Sequence, residues 1–349
     1  MADSIMVKFW GVRGSYPAPG VETVRYGGNT ACVEVRAGGR TIILDAGTGV
    51  IGLGGDLMRR SALMGKSITT TLLFSHYHHD HTQGMPFFSP FYDHSASIRI
   101  FGPDFRSQGV EETLSQVMRS PAFPVAWEQI PAKRFVHSLK SGQSVLIGRD
   151  GEHRIIHPAN QAAFRSFEEG QSGEAVHIHS LRSVAHPDWV LSYRIEWHGF
   201  SLVYATDTEG YAGNNGRLVN FAHQADLLFH DAQYTDAHYQ GLLPGLPGTR
   251  GWGHSTIRMA CDVAQAAKVK RLVLFHHEPS YDDWTITQNE QEARRLFPET
   301  LAAYEGLEVH LGGRPAAFPV ETRVEFPEYA ILDPEYAILE APKSLSGKN

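Results

Sequence analysis

Five short apolar runs close on a histidine or an aspartate: 41–45 on Asp45, 69–76 on His76, 201–207 on Asp207, 226–231 on Asp231 and 271–276 on His276. Brief β-branched apolar runs bounded by turn or polar residues predict buried strands. Five strands ending this way predict that polar, ligand-type side chains gather along one sheet edge. From Ser255 to Ala267 the apolar positions Ile257, Ala260, Cys261, Ala264 and Ala267 recur with helical spacing behind Ser255 as a cap, and a second helix is predicted from Thr287 to Leu296. The first forty residues read as paired strands around Gly and Pro turns, so the class is mixed, α/β or α+β.

The segment 82–185 is less regular. Pro-rich patches at 85–90 and 121–131 and a polar stretch at 166–174 mark it as a long insertion or lid within a single domain spanning 1–325. The remainder, 326–349, carries a seven-residue duplication: Pro327-Glu-Tyr-Ala-Ile-Leu-Asp333 is followed at once by Pro334-Glu-Tyr-Ala-Ile-Leu-Glu340. Proline every seven residues forbids a continuous helix, so this extension is expected to run extended over the surface or onto a partner chain.

Composition narrows the class without naming a function. Of 349 residues, 42% are apolar and 20% charged, which excludes disordered, collagen-like and disulfide-scaffold chains. Cys32 and Cys261 are too few for a disulfide framework and read as buried small hydrophobes. No apolar run approaches membrane-spanning length and the first residues lack a signal-peptide pattern, so a cytoplasmic location is expected with no membrane association. A net charge of −7 offers no general attraction to nucleic acid. Nineteen histidines are the exception, because imidazole is both a metal ligand and a group that titrates near neutrality.

The densest cluster is His76-Tyr-His78-His79-Asp80-His81. At a strand end, His76 and His78 at i, i+2 project to one side, and Asp80 and His81 past a turn point to a neighbouring position, which suits two adjacent metals. This run resembles the His-x-His-x-Asp-His signature of the metallo-β-lactamase superfamily, and the resemblance extends over most of the chain. It implies a four-layer αββα sandwich with the site at the sheet edge. It also implies that one ion takes His76, His78 and His186, that the other takes Asp80, His81 and His276, and that Asp207 bridges them. Asp45 matches the family's earlier aspartate and is expected to orient a ligand histidine, with His230 also behind the ligands. His276 is preferred to its neighbour His277 because it continues directly from the strand. His79 is expected to face solvent, and His157, His177, His179 and His310 read as surface or internally satisfied histidines. The donor set suits Zn²⁺ first and admits Mn²⁺ or Fe. Two such ions roughly 3.5–4 Å apart acidify a shared water and neutralise charge growing on a phosphoryl or acyl oxygen, with Asp80 counted among the catalytic groups.

Two further motifs resemble the phosphodiesterase branch of that superfamily, which includes the tRNA 3′-processing endonucleases and the phosphoribosyl cyclic phosphodiesterases. Gly253-His-Ser-Thr256 opens the predicted helix, and His230-Asp-Ala-Gln-Tyr234 ends a strand. The second departs from the family pattern, with Asp231 for Glu and Gln233 for Thr. A helix start with free N–H groups and the Ser255 and Thr256 hydroxyls would receive a phosphate oxygen, and His254, partnered by Asp231, would protonate a leaving alkoxide. Arg13 in Phe9-Trp-Gly-Val-Arg-Gly-Ser15 is expected to help bind an anion.

Segment 82–185 holds ten Lys plus Arg against ten Asp plus Glu. An arm that grips tRNA needs a basic excess, so a small phosphodiester such as a cyclic nucleotide or cyclic sugar phosphate ranks above structured RNA. The competing expectations are a lactone, thioester or β-lactam hydrolase, a tRNA 3′-processing endonuclease, and a metal-binding sensor without turnover. Nothing in the chain excludes a homo-oligomer.

Overall fold

In a computed structural model the described residues are 4–104, 108–157, 159–210 and 215–312. The duplicated tail and the expected boundary at 325 lie outside them.

The strands are β1 (Ile5–Gly11), β2 (Cys32–Ala37), β3 (Arg40–Leu44), β4 (Thr69–Leu73), β5 (Ser97–Pro103), β6 (Lys133–Leu139), β7 (Ser144–Ile147), β8 (His153–Ile156), β9 (Val176–Ser183), β10 (Val190–Trp197), β11 (Phe200–Ala205), β12 (Leu227–Asp231), β13 (Leu272–Phe275), β14 (Thr300–Ala302) and β15 (Glu308–Leu311). The helices are α1 (Gly49–Met64), α2 (His79–Thr82), α3 (Val110–Val117), α4 (Gln161–Gln171), α5 (Gly216–Phe221), α6 (Asp236–Tyr239), α7 (Ile257–Ala267) and α8 (Asp283–Leu296). Among the described residues one sheet runs β15-β1-β2-β3-β4-β5-β6 and the other β14-β13-β12-β11-β10-β9-β7-β8. Each is mixed: β3 to β6 are parallel in the first, and β11 to β14 are parallel in the second.

The sheets face each other and helices cover them, which is the four-layer arrangement expected. Alternation makes β1 a half-buried strand, with Ile5, Val7 and Phe9 inward. Phe9 meets Phe229 of the opposite sheet edge to face, ring centres 5.2 Å apart. On the first sheet's helical side, α1 buries Val50, Leu53 and Leu57 and stops at Gly65, whose left-handed φ of 61° closes the last turn. Over the second sheet, α7 buries Ile257, Ala260, Cys261 and Ala264. Both cysteines are free and buried, as read from the sequence.

The structure corrects three expectations. Segment 82–185 is not an insertion or lid, because β5 to β9 within it are members of the two sheets. Helix α7 is capped by Thr256, whose side chain accepts from the Met259 N–H, and not by Ser255. Helix α8 begins four residues before the expected Thr287, because Asp282 accepts from the Thr285 N–H and nucleates an earlier first turn. Among the described residues, no helix is long and apolar enough to cross a membrane.

Candidate metal centre

All five strand ends picked out by the hydrophobic pattern converge. β4 leads to His76 and, past an extended turn, to α2, which carries Asp80 and His81. β11 leads to Asp207, β12 ends on Asp231 and β13 leads to His276. His186 arrives from the connection between β9 and β10. Parallel neighbours in one sheet bring their C-terminal ends side by side, so register alone sets Asp207, Asp231 and His276 along one edge. Three of the residues at these ends bend sharply: φ is +60° at Asp45, +49° at Asp207 and +64° at His276. Side chains with a Cβ rarely adopt this left-handed conformation, and here it turns each functional group away from its strand.

The ligand atoms form two groups, His76 with His78 and His186, and Asp80 with His81, Asp207 and His276. Asp207 stands between them. Its Oδ1 lies 3.6 Å from His76 Nε2 and 3.8 Å from His186 Nε2, while its Oδ2 lies 3.2 Å from His81 Nε2 and 3.4 Å from His276 Nε2. Asp80 Oδ2 reaches His276 Nε2 at 3.0 Å and His81 Nε2 at 3.2 Å. His277 points elsewhere, donating from Nε2 to the Ala303 carbonyl at 2.9 Å. His79 is exposed.

Two atoms decide whether this donor set fits metal ions. His76 Nε2 and Asp207 Oδ1 are buried without a hydrogen-bond partner, a costly state for polar atoms unless a cation completes them. Burial pushes His76 and His186 below the ordinary histidine value despite the pull of Asp207, which keeps them neutral. Burial alone would raise Asp207, but His276, His81 and His76 outweigh it and hold the carboxyl well below its usual range. His81 is shifted the other way: burial would lower it, but Asp80, Asp207 and Asp45 outweigh this and raise it. The carboxylates there call for a positive charge that a divalent ion would supply in place of the proton, and the donor set fits two divalent ions.

Behind the ligands, Asp45 accepts from the Ser75 N–H, the Ser75 hydroxyl, the Tyr204 hydroxyl and His81 Nδ1, all within 2.8 Å. His276 Nδ1 donates to Gln233 Oε1 at 3.0 Å, and the Ser15 N–H donates to Asp80 Oδ2 at 2.7 Å. Ser15, Ser75, Tyr204 and Gln233 were not singled out from the sequence as site residues. Gly14, by contrast, sits in a stretch read only as turn-forming, yet a Cβ there would lie 2.4 Å from the His276 ring. Only the absence of a side chain lets that loop approach the imidazole.

Beside the cluster, His254 Nδ1 lies 2.8 Å from Asp231 Oδ2, so the shorter carboxylate at this position reaches its partner. Burial opposes charge on His254, but Asp231, Asp207 and Asp80 outweigh it and lift the imidazole to about 9. A cleft of about 420 Å³ opens here, lined by Ser15, Tyr77, His78, His79, Asp80, Asp207 and His254.

Four expected site residues do other work. Arg13 is fully buried, its Nε and Nη1 donate to the carbonyls of Gly27, Glu278 and Tyr281, and its Nη2 has no hydrogen-bond partner among the described residues, so it pins the N-terminal loop and does not line the cleft. Ser255 donates its hydroxyl to the Thr208 carbonyl and accepts from the Gly210 N–H. The Thr256 hydroxyl is taken by the helix cap, and neither residue is exposed. His230 pairs through Nδ1 with the Asp231 carbonyl and supports no ligand.

A profile of the beta-lactamase superfamily domain matches residues 40–277. The chain belongs to the metallo-β-lactamase superfamily. Within this superfamily it is 28% identical to Ribonuclease Z of Thermococcus kodakarensis over 283 residues, covering 73% of this chain and 81% of that protein. In fold it is similar to the metallo-beta-lactamase fold protein YhfI of Bacillus subtilis, with a TM-score of 0.60 at 18% identity over 88% of this chain and all of that one. A diphosphatase of the PhnP family aligns with a TM-score of 0.53 at 16% identity over 87% of this chain and 97% of that chain. The superfamily match and the His/Asp cluster together make this chain a metal-dependent hydrolase.

Proposed function

We propose that this metallo-β-lactamase-fold hydrolase is a phosphodiesterase acting on a small phosphodiester, of the cyclic nucleotide or cyclic sugar phosphate class. The observation that carries the reading is the buried His254–Asp231 pair, in which His254 stands beside Asp207 and lines the cleft. Hydrolysis of an alkyl phosphodiester has a poor leaving group, so a proton donor beside the reaction centre is the extra element it demands. Relatives named for ribonuclease and diphosphatase activity support chemistry at phosphorus.

His76, His78 and His186 would hold one ion, Asp80, His81 and His276 the other, with Asp207 serving both. When bound, the ions, Zn²⁺ first with Mn²⁺ or Fe admitted, supply Lewis acidity toward a phosphoryl oxygen and acidify water. The protein's own part is orientation and proton transfer. Asp45 and Gln233 hold the His81 and His276 rings through Nδ1, which leaves each Nε2 directed at the cluster. Asp231 does the same for His254, so that Nε2 faces the cleft and delivers its proton to the departing oxygen.

A cleft of about 420 Å³ lies within the roughly 300–1,000 Å³ typical of small-ligand sites. The zero net charge of 82–185 and the overall −7 weigh the same way. The name of the curated relatives favours a second reading, cleavage of structured RNA. Two measurements test the proton donor and the substrate class. His254→Ala should keep its metals and lose roughly 10²–10⁴-fold in rate on an alkyl phosphodiester, with a smaller loss on a nitrophenyl ester. Efficient cleavage of precursor tRNA at physiological salt by the unaltered protein, with poor turnover of cyclic diesters, would replace the first reading by the second.

A further inference from the structure

Ser15 stands at the tip of a three-residue turn beside the cleft. The Tyr16 N–H donates back to the Gly14 carbonyl at 2.6 Å, and φ at Ser15 is +58°. A three-residue turn of this hand is rare and strained, and such strain persists only where surrounding contacts hold it. Three contacts do so here. The Gly14 N–H donates to the His277 carbonyl at 3.0 Å, the Ser15 N–H donates to Asp80 Oδ2 at 2.7 Å, and Gln233 Nε2 lies 3.1 Å from Ser15 Oγ. Ser15 is nevertheless exposed, and it lines the cleft together with His78, Asp80, Asp207 and His254.

The direction of the last bond follows from the groups around Gln233, which is itself buried. His276 Nδ1 donates to Gln233 Oε1 at 3.0 Å, its Nε2 being turned to Asp80 and Asp207. At the other end Gln233 Nε2 donates to Glu278 Oε2 at 2.9 Å, where a carboxylate can only accept. The amide is fixed from both sides, so its second N–H is the one that reaches Ser15. Ser15 Oγ accepts in that bond and its own hydrogen is not used there. Among the described residues Gln233 is the only hydrogen-bond partner of the hydroxyl.

We infer that the Ser15 hydroxyl is a substrate-binding group that donates to a non-bridging oxygen of the phosphoryl group. This role rests on the phosphodiesterase reading above and supplies an anion contact that Arg13, Ser255 and Thr256, engaged elsewhere, do not. The chemistry of the donor selects the ligand. A phosphodiester carries its negative charge on two non-bridging oxygens that accept and cannot donate, and a hydrogen bond to such a charged acceptor is stronger than a neutral one. A hydroxyl whose acceptor side is already occupied suits them. Gln233 then has two tasks, holding a ligand imidazole with its oxygen and a substrate-binding hydroxyl with its nitrogen.

The test uses the full chain loaded with metal. Ser15→Ala and Ser15→Gly both keep the backbone N–H that Asp80 accepts, and glycine takes the left-handed turn without strain. Both variants should hold as much metal as the unaltered protein by elemental analysis. Both should lose about 10–100-fold in kcat/KM on bis(p-nitrophenyl) phosphate, the size expected for a hydrogen bond to a charged group. Inorganic phosphate should inhibit both more weakly by a similar factor, a readout of anion binding that a purely structural role of the turn would not move. Unchanged kcat/KM and unchanged phosphate inhibition in variants that keep their metals overturn the role of Ser15 and leave the phosphodiesterase reading standing. A loss of rate with phosphate inhibition unchanged assigns Ser15 to the turn alone, and metal loss in both variants makes it a support of Asp80; either result overturns the role. An unaltered protein that hydrolyses neither bis(p-nitrophenyl) phosphate nor a cyclic diester removes both readings.

Discussion

Oδ2 of Asp45 accepts from Nδ1 of His81 at 2.8 Å, and the same oxygen also receives the Ser75 and Tyr204 hydroxyls. The carboxylate fixes the tautomer and the tilt of an imidazole whose other nitrogen faces Asp80 and Asp207. Asp45→Asn should therefore fold and bind one metal roughly 10–100-fold more weakly. Competition titration with a chelator reads this directly, and an affinity equal to that of the unaltered protein would remove Asp45 from the support of the site.

Asp207→Ala should abolish hydrolysis and lower the metal content, because one side chain faces both groups of ligands. Replacing His276 and His277 separately sharpens the assignment. His276→Ala should lose metal. His277→Ala should keep metal and instead cost about 1–3 kcal/mol of stability for the unpaired Ala303 carbonyl, seen as a lower denaturant midpoint. Metal loss in the second variant and not the first would shift the ligand by one residue.

Gly14→Ala places a methyl group against the His276 ring. In a packed interior such an addition costs about 1–3 kcal/mol, and the ring is the neighbour that must yield. A fall in metal affinity at modest cost in stability is expected by calorimetry and thermal melting. Unaltered metal binding would mean that the backbone, and not His276, moves.

Glu34 gives a stability test far from the chemistry. Its buried carboxylate accepts from Trp10, Arg36 and Arg60, joining β1, β2 and α1. Burial would raise its pKa, but the two guanidinium groups outweigh this and lower it. A carboxyl depressed in the folded state contributes stability above its unfolded value, and that contribution disappears as pH falls through the folded one. The unaltered protein should accordingly lose stability below about pH 4.3, the ordinary glutamate value. Glu34→Gln should be less stable at neutral pH and less sensitive to that acid range. Parallel pH profiles for the two proteins would show that the carboxylate contributes nothing.

Much of the candidate centre was legible because it is written at strand ends. An apolar run that stops on His or Asp announces both a buried strand and what it delivers, and β3, β4, β11, β12 and β13 all behave so. What failed was the assignment of groups whose partners are backbone atoms. Arg13, Ser255 and Thr256 are polar and chemically apt, but backbone groups engage them, distant in sequence for Arg13 and Ser255 and within its own helix for Thr256. Gln233 looked like a departure from the family motif, yet it orients His276. The strands inside 82–185 escaped for another reason. β6 is an edge strand whose alternate positions Lys133, Phe135 and His137 are exposed, and β7 and β8 span only four residues each, too few for periodicity to register.

The bent backbone at Asp45, Asp207 and His276 reaches beyond chemistry. Left-handed conformations at residues other than glycine cost about 1–3 kcal/mol each, so part of the backbone strain in the chain is stored where it would grip its ions. Ions that bind the folded state and not the unfolded one repay that strain by mass action. Since proteolytic clearance follows the unfolded fraction, metal starvation would thin the cell's stock of this protein as well as silence each copy.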